Sequence, residues 1–366
     1  MKKIVLIFVL LISLFSFAFA QYITPAKDCK YTEASTLTMV GKMMPGTPNP
    51  YHRVDTNLFK GFTSKENLQV RMSTGMAVVF RTNSPVIYIY TDYATPKLGS
   101  IDGNGISNRG YDLYIKKDGE WLFAAASTVA DTALRDTLRL IKGMDNSEKE
   151  CLLFLPLYSE ERSIQIGVAP TSHIAAIANP FRHRICIFGS SFTHGAAASR
   201  PSMAYPSQWM RYTGIQMLNL GCSGQCLLQS YFADVLCAVE ADAFVFDAFS
   251  NPHANEIQER LFPFIEKVQA AHPGVPLIFQ RTIMRSSRNF NMDSEYDEST
   301  KMAMADSLMA IAAKKYHDVY YIRPDISCTY NETSVDGTHP DSYGYYLWEK
   351  SIEKPLLKIL KKYGIK

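Results

Sequence analysis

The chain has 366 residues, 47% of them hydrophobic and 20% charged, and a formal net charge of +3. This is an ordinary globular composition, and the length favours two domains over one. Lysines and arginines are scattered, with no basic block interleaved with aromatics, which argues against nucleic acid as a partner.

At the start of the chain, Lys2 and Lys3 precede the apolar run Ile4–Phe17, which ends in Ala18-Phe19-Ala20. This order reads as a signal peptide over 1–20, cleaved after Ala20. The mature protein is therefore expected to be exported, either periplasmic or secreted. No cysteine follows the cleavage site to carry a lipid, and no later stretch is long and apolar enough to span a membrane. The seven cysteines are Cys29, Cys151, Cys186, Cys222, Cys226, Cys237 and Cys328, so at least one is unpaired. Cys222 and Cys226 have a C-x3-C spacing that matches neither a zinc nor a redox motif, so no metal site is read there.

Residues 21–178 read as an all-β domain. Met76–Arg81 and Val86–Tyr90 are β-branched and aromatic runs separated by Thr82–Pro85, and are expected to form a hairpin. Tyr111–Ile115 and Trp121–Ala125 flank Lys117-Asp118-Gly119, a second hairpin signal. Leu152–Leu157 and Ser163–Val168 supply two more strands. Short strands at this spacing suggest a sandwich. A linker is expected over Ala169–Arg184, where Pro170 and Pro180 lie.

From 179 to 366 strands alternate with helical patterns. The expected strands are Ile185–Phe188, Gln216–Leu220, Ala243–Phe249, Pro276–Gln280 and Val319–Ile322. The expected helices are Ala204–Tyr212, Leu227–Val239, Glu256–Ala271, Thr300–Lys315 and Tyr345–Lys361, with a polar loop at Arg285–Glu298. Five β-α units in a row call for a parallel sheet covered on both faces. Ligands of such sheets bind at the C-terminal ends of the strands.

The strand ends carry the chemistry. The first strand breaks into Gly189-Ser190-Ser191, a sharp turn suited to an exposed nucleophile. The second is followed by Gly221-Cys222-Ser223-Gly224, whose glycines let backbone N–H groups approach a ligand. The third leads to Asn251-Pro252, where the proline restricts the asparagine to extended backbone. The fifth leads to Asp336-Gly337-Thr338-His339, an Asp and a His close enough to hydrogen-bond. In roles these match a serine hydrolase. Ser191 is the nucleophile, His339 the base and Asp336 the residue that orients it. The N–H groups of Ser191 and Gly224 and the Asn251 amide form an oxyanion hole. Candidate substrate contacts are His194 in the first turn after the serine, and Arg285, Arg288 and Asn289 in the loop after the fourth strand.

G-S-S-F-T-H-G, the glycine of C-S-G-Q, Asn251 and D-G-T-H together resemble the four blocks of the SGNH, or GDSL-type, esterases. Gly110-Tyr111-Asp112-Leu113-Tyr114 resembles the G-x-D-L-Y signature of a β-sandwich that precedes one group of them. Asn49-Pro50-Tyr51-His52-Arg53 and Ala198-Ser199-Arg200-Pro201 are similar to the same group. The resemblance implies a flavodoxin-like three-layer α/β/α domain with a five-stranded parallel sheet, preceded by a jelly-roll-like sandwich, as in two-domain carbohydrate acetylesterases. The family's G-D-S has Ser190 in place of its aspartate, and the aspartate that follows the family's asparagine is Pro252 here.

The expected activity is a serine esterase that removes a short acyl group, O-acetyl on resemblance, from carbohydrate. The acyl-enzyme route needs neither cofactor nor metal. Two alternatives stand beside it: a lipid acylhydrolase or thioesterase of the same fold, and a non-catalytic glycan-binding protein. The substrate is an acylated carbohydrate or other small ester. The sequence carries no signal for the oligomeric state.

Overall fold

The computed structural model describes residues 28–94, 102–129, 133–325 and 332–366. The expected signal peptide and Cys328 lie outside the described residues. No helix among them is long and apolar enough to cross a membrane. The six other cysteines are all free.

The N-terminal half is built from two antiparallel sheets. One has the order β1-β9-β4-β7, with β1 at Lys30–Glu33, β4 at Val86–Tyr93, β7 at Arg135–Lys142 and β9 at Glu161–Val168. The other has the order β10-β3-β8-β5-β6, with β2 (Thr38–Val40) also paired to β3. Here β3 is Ala77–Thr82, β5 Tyr111–Lys117, β6 Glu120–Ser127, β8 Lys149–Phe154 and β10 Ile174–Ala176. Ile87, Ile89, Ile164 and Ile166 of the first sheet meet Val78, Phe80, Leu113 and Leu153 of the second in one core.

The hairpin expected between Met76–Arg81 and Val86–Tyr90 does not form. β3 pairs with β8 and β4 with β9, so the chain crosses between sheets at Thr82–Pro85. The burial pattern explains the difference. β4 alternates between buried and half-buried positions, as a strand with one covered face should. β3 is buried at five of its six positions. Its outer residues Ala77 and Val79 join a second core with Ile185, Ile187 and Trp209 of the C-terminal half. At β3 the larger sheet is covered on both faces, and an apolar run of this kind carries no record of its partner. The Asp118-Gly119 hairpin does form, joining β5 to β6 with both turn residues at positive φ. The expected linker contains β10, which pairs with β3.

The C-terminal half is a parallel sheet of order β12-β11-β13-β14-β15. Its strands are β11 Arg182–Gly189, β12 Ile215–Gly221, β13 Ala243–Asp247, β14 Leu277–Gln280 and β15 Val319–Ile322. This 2-1-3-4-5 order is flavodoxin-like, and its switch point lies beside the first strand. Along β11, Ile185 and Ile187 face one core while Cys186 and Phe188 face the other. The helices Tyr205–Thr213 and Ser342–Leu360 cover the first face. The helices Ser230–Cys237, Ala254–Ala271 and Met292–Lys315 cover the second. The helix expected from Thr300 begins earlier, at Met292, so much of the expected polar loop is helical. Asn291 caps it by accepting from Ser294 N–H at 3.0 Å, and Asp293 and Glu295 in the first turn favour its positive end.

The two halves are joined where the G-Y-D-L-Y segment meets Arg200 of A-S-R-P and the neighbouring Ser202. Asp112 of G-Y-D-L-Y is fully buried and accepts from Arg200 Nη1 at 2.7 Å and from the Ser202 N–H and hydroxyl. Tyr114 Oη bonds the same arginine at 2.8 Å. A buried carboxylate on one half thus meets its cation on the other.

Candidate active site

β11 ends at Gly189 and delivers Ser191 to the first position of a single helical turn, Ser191–His194. Ser190 caps this turn by accepting from Phe192 N–H. Glycine is required at 189, because a Cβ there would stand 2.1 Å from Thr193 Oγ1 and 2.8 Å from Asp247 Cβ. His339 and Asp336 come from the loop between β15 and the last helix. Asp336 Oδ1 accepts from the N–H groups of Thr338 and His339 at 2.8 and 2.6 Å. Its Oδ2 lies 2.7 Å from His339 Nδ1, and His339 Nε2 lies 2.9 Å from Ser191 Oγ. With Nδ1–H donated to Asp336, the Nε2 lone pair faces the serine hydroxyl. Burial pushes the Asp336 carboxyl up, but the hydrogen bonds from His339 and Thr338 outweigh it and hold the group below its ordinary value. It is therefore ionised when the imidazole takes a proton.

The serine opens into a cavity of about 510 Å³. Gly224 and Asn251 line it with Ser191 and His339, so the expected oxyanion donors surround one space. Gly224 has φ +68, a conformation that glycine adopts without cost. Asn251 Oδ1 accepts from Cys226 N–H at 3.3 Å. This fixes the amide, and among the described residues its Nδ2 donates to no protein group.

The residues expected as substrate contacts divide. Arg285 lines the cavity, but its guanidinium is engaged. Nη2 donates to the Ser250 carbonyl and hydroxyl at 2.6 and 2.8 Å, and Nη1 pairs with Glu298 at 2.8 Å. Buried Lys301 donates to the same carbonyl at 3.0 Å and pairs with Glu298. Position 252 offers no carboxylate, and the loop is instead held one residue before Asn251 by these two cations. His194 is not a contact. It is fully buried, stacked against Tyr158 at 3.9 Å, with Nε2 2.7 Å from the Leu157 carbonyl. Burial beside Arg53 drives its pKa well down, so it is a neutral histidine behind the cavity wall. Arg288 is committed to Glu295, with two bonds of 2.6 and 3.0 Å, and does not line the cavity. Asn289 is exposed and does not line it either.

Several lining residues escape the sequence reading. Lys65, Leu68, Gln69 and Met72 come from the helix Ser64–Val70 and its exit, in the N-terminal half. The T-S-K-E box at 63–66, which caps that helix, was a legible signal for it. Asp102, also N-terminal, places Oδ2 3.6 Å from His339 Nδ1. Tyr158 and Ser223 close the wall with a 2.7 Å hydrogen bond between their hydroxyls. No local pattern marks Asp102 or Tyr158, and Ser223 lies in the C-S-G-Q stretch read for its glycine.

Two family models match the chain. One, described as the GDSL-like lipase/acylhydrolase family, covers residues 182–357. The other, the GxDLY N-terminus of SGNH-hydro-type esterases, covers 29–174. A crystal structure from Bacteroides ovatus, provisionally labelled a GDSL-like lipase, is 35% identical and superposes with a TM-score of 0.87. The alignment covers 91% of this chain and 98% of that one. A salicylyl-acyltransferase of a tetracycline biosynthetic pathway shares the fold at 16% identity and a TM-score of 0.67, over 92% of this chain and 98% of its own. A family two carbohydrate esterase from Cellvibrio japonicus does so at 12% identity and 0.61, over 91% and 98%. No curated protein matches. The matched segments take in both halves, and with the Bacteroides relative aligned almost end to end, the chain belongs to the GDSL-like lipase/acylhydrolase family of SGNH-type esterases.

Proposed function

We propose that this protein is an exported serine esterase that removes short acyl groups, O-acetyl first among them, from carbohydrate. The observation that carries the esterase reading is the continuous line of hydrogen bonds from Ser191 through His339 to Asp336 at the mouth of a cavity. Ser191 Oγ attacks the acyl carbon while its proton passes to His339 Nε2. Asp336 stabilises the imidazolium, and the N–H groups of Ser191 and Gly224 with Asn251 Nδ2 hold the oxyanion. Collapse expels the sugar hydroxylate, which takes the proton from Nε2 and leaves the acyl group on Ser191. Water activated by the same histidine then releases the carboxylic acid.

Two features support a small acyl group on a polyol. Leu68, Met72 and Ala196 are the aliphatic lining residues, whereas Lys65, Gln69, Asp102, Ser223 and Thr338 offer polar groups to a sugar. Carbohydrate esterases of family two share the two-part fold. In this reading residues 1–20 are the signal peptide, 21–178 the sandwich domain and 179–366 the catalytic domain.

Hydrolysis of p-nitrophenyl acetate and octanoate, with acetate release from acetylated polysaccharides, tests the proposal. Acetate should be preferred. A clear preference for octanoate would move the reading to a lipid acylhydrolase or thioesterase. Failure of a fluorophosphonate to label Ser191 would favour a glycan-binding protein.

A further inference from the structure

The family's nucleophile turn carries an aspartate where this chain has Ser190. We propose that Asp247, at the end of the neighbouring strand β13, is the positioning residue that sets the nucleophile turn from the side. The inference rests on the reading of Ser191 as nucleophile.

β13 pairs with β11 in a register that sets Asp247 opposite Gly189, the residue before the turn. The side chain is fully buried. Its Oδ2 accepts from Ser190 N–H at 3.2 Å, from the Ser190 hydroxyl at 2.9 Å and from the Thr193 hydroxyl at 3.0 Å. One oxygen therefore holds the cap and the third residue of the helical turn that presents Ser191. Glycine at 189 leaves the space through which the carboxylate reaches the turn.

The charge matters to this arrangement. When Asp247 is ionised, Ser190 Oγ–H must donate to it. The serine lone pair is then left for Phe192 N–H, which caps the turn. A neutral carboxyl is a poorer acceptor and brings a proton of its own, so the Ser190 hydroxyl loses its fixed direction. The titratable groups around it are Arg285, Tyr205, Tyr345 and Cys226. Tyr205 Oη bonds Thr193 Oγ1 at 2.9 Å and Gln280 Nε2 at 2.9 Å, which leaves it turned to the threonine. Arg285 is the cation among them. Burial pushes the Asp247 carboxyl up to about 6, against the opposing pull of Ser190, Thr193 and Arg285. The clamp is thus charged at neutral pH and is lost under mild acid.

The test follows the rate of fluorophosphonate labelling of the full chain against pH, with Ser191→Ala as blank and thermal melting as the check on folding. Asp247→Asn keeps the shape and removes the charge. It should melt near the wild type and label at least tenfold more slowly at neutral pH. The wild-type rate should fall at acid pH with one proton more in its slope than the Asn variant, the proton taken up by Asp247. Ser190→Ala keeps the carboxylate but removes a donor that favours its charged form, so its acid limb should move to higher pH. Asp247→Asn labelling at the wild-type rate and slope overturns the proposal. If that variant does not fold, an unmoved acid limb in Ser190→Ala overturns it. A wild type that does not label overturns the nucleophile reading, and this inference with it.

Discussion

Arg53 donates from Nη1 to the main-chain carbonyl of Gly221, 2.9 Å away and 168 residues on in the chain. The same nitrogen reaches the Asn219 carbonyl at 3.0 Å, while Nε and Nη2 hold Met72 and Gln69 carbonyls at 3.0 and 2.6 Å. A fully buried guanidinium thereby ties the end of β12, which leads to Gly224, to the N-terminal helix that walls the cavity. Lysine cannot serve four carbonyls with this fork. Arg53→Lys should lower stability by about 3 kcal/mol in urea unfolding, since charged hydrogen bonds contribute roughly 1.5–3 kcal/mol each. An unchanged midpoint and slope would remove Arg53 from the joint.

Asn251 and Arg285 sit in one cavity but should respond differently from a substrate contact. Asn251→Ala should lower kcat by roughly 10²–10³-fold with folding intact, as expected for an oxyanion donor. Arg285→Ala loosens Ser250 and should lower kcat by about tenfold with little change in KM, because the residue acts through the loop. A rise in KM alone would return Arg285 to direct substrate binding.

Asp336 and Asp102 both approach His339 Nδ1, at 2.7 and 3.6 Å. Asp336→Asn should lower kcat by roughly 10⁴-fold, the loss that follows removal of the orienting carboxylate of a Ser-His-Asp triad. Adding Asp102→Asn should lower it further, whereas Asp102→Asn alone should cost less than about tenfold. A double variant no slower than Asp336→Asn would show that Asp102 lends the imidazole nothing.

Glu161 gives a pH-dependent stability. It is fully buried, and burial raises its carboxyl to about 8. A raised folded value means that the stability it contributes is present below the unfolded value of about 4.3 and is lost as pH rises through about 8. Wild-type stability should therefore fall by about 2–4 kcal/mol between pH 5 and pH 9 from this group, with Asp247 adding to the same trend at lower pH. Glu161→Gln should flatten that fall in urea unfolding at the two pH values. Equal slopes for the two proteins would rule Glu161 out as its source.

The alternation of strands and helices from Arg182 onward was legible in the sequence, as were the residues at its strand ends. Apolar period and turn residues are local, and a parallel sheet places every strand end on one edge. Ser191, Gly224, Asn251, Asp336 and His339 consequently converge whatever the detail of packing. The Asp118-Gly119 turn was legible for the same reason. Tertiary structure alone decided the rest. β3 and β4 part company because β3 is buried on both faces, which erases the alternation that would name its sheet. His194 turns inward because Tyr158, from the other half, covers it. Ser190 stands out in the sequence as a missing carboxylate, but only the register of β11 with β13 reveals Asp247 beside it. Arg53 and Asp102 reach the site across more than 100 residues, through hydrogen bonds and charge that leave no periodic trace in the chain.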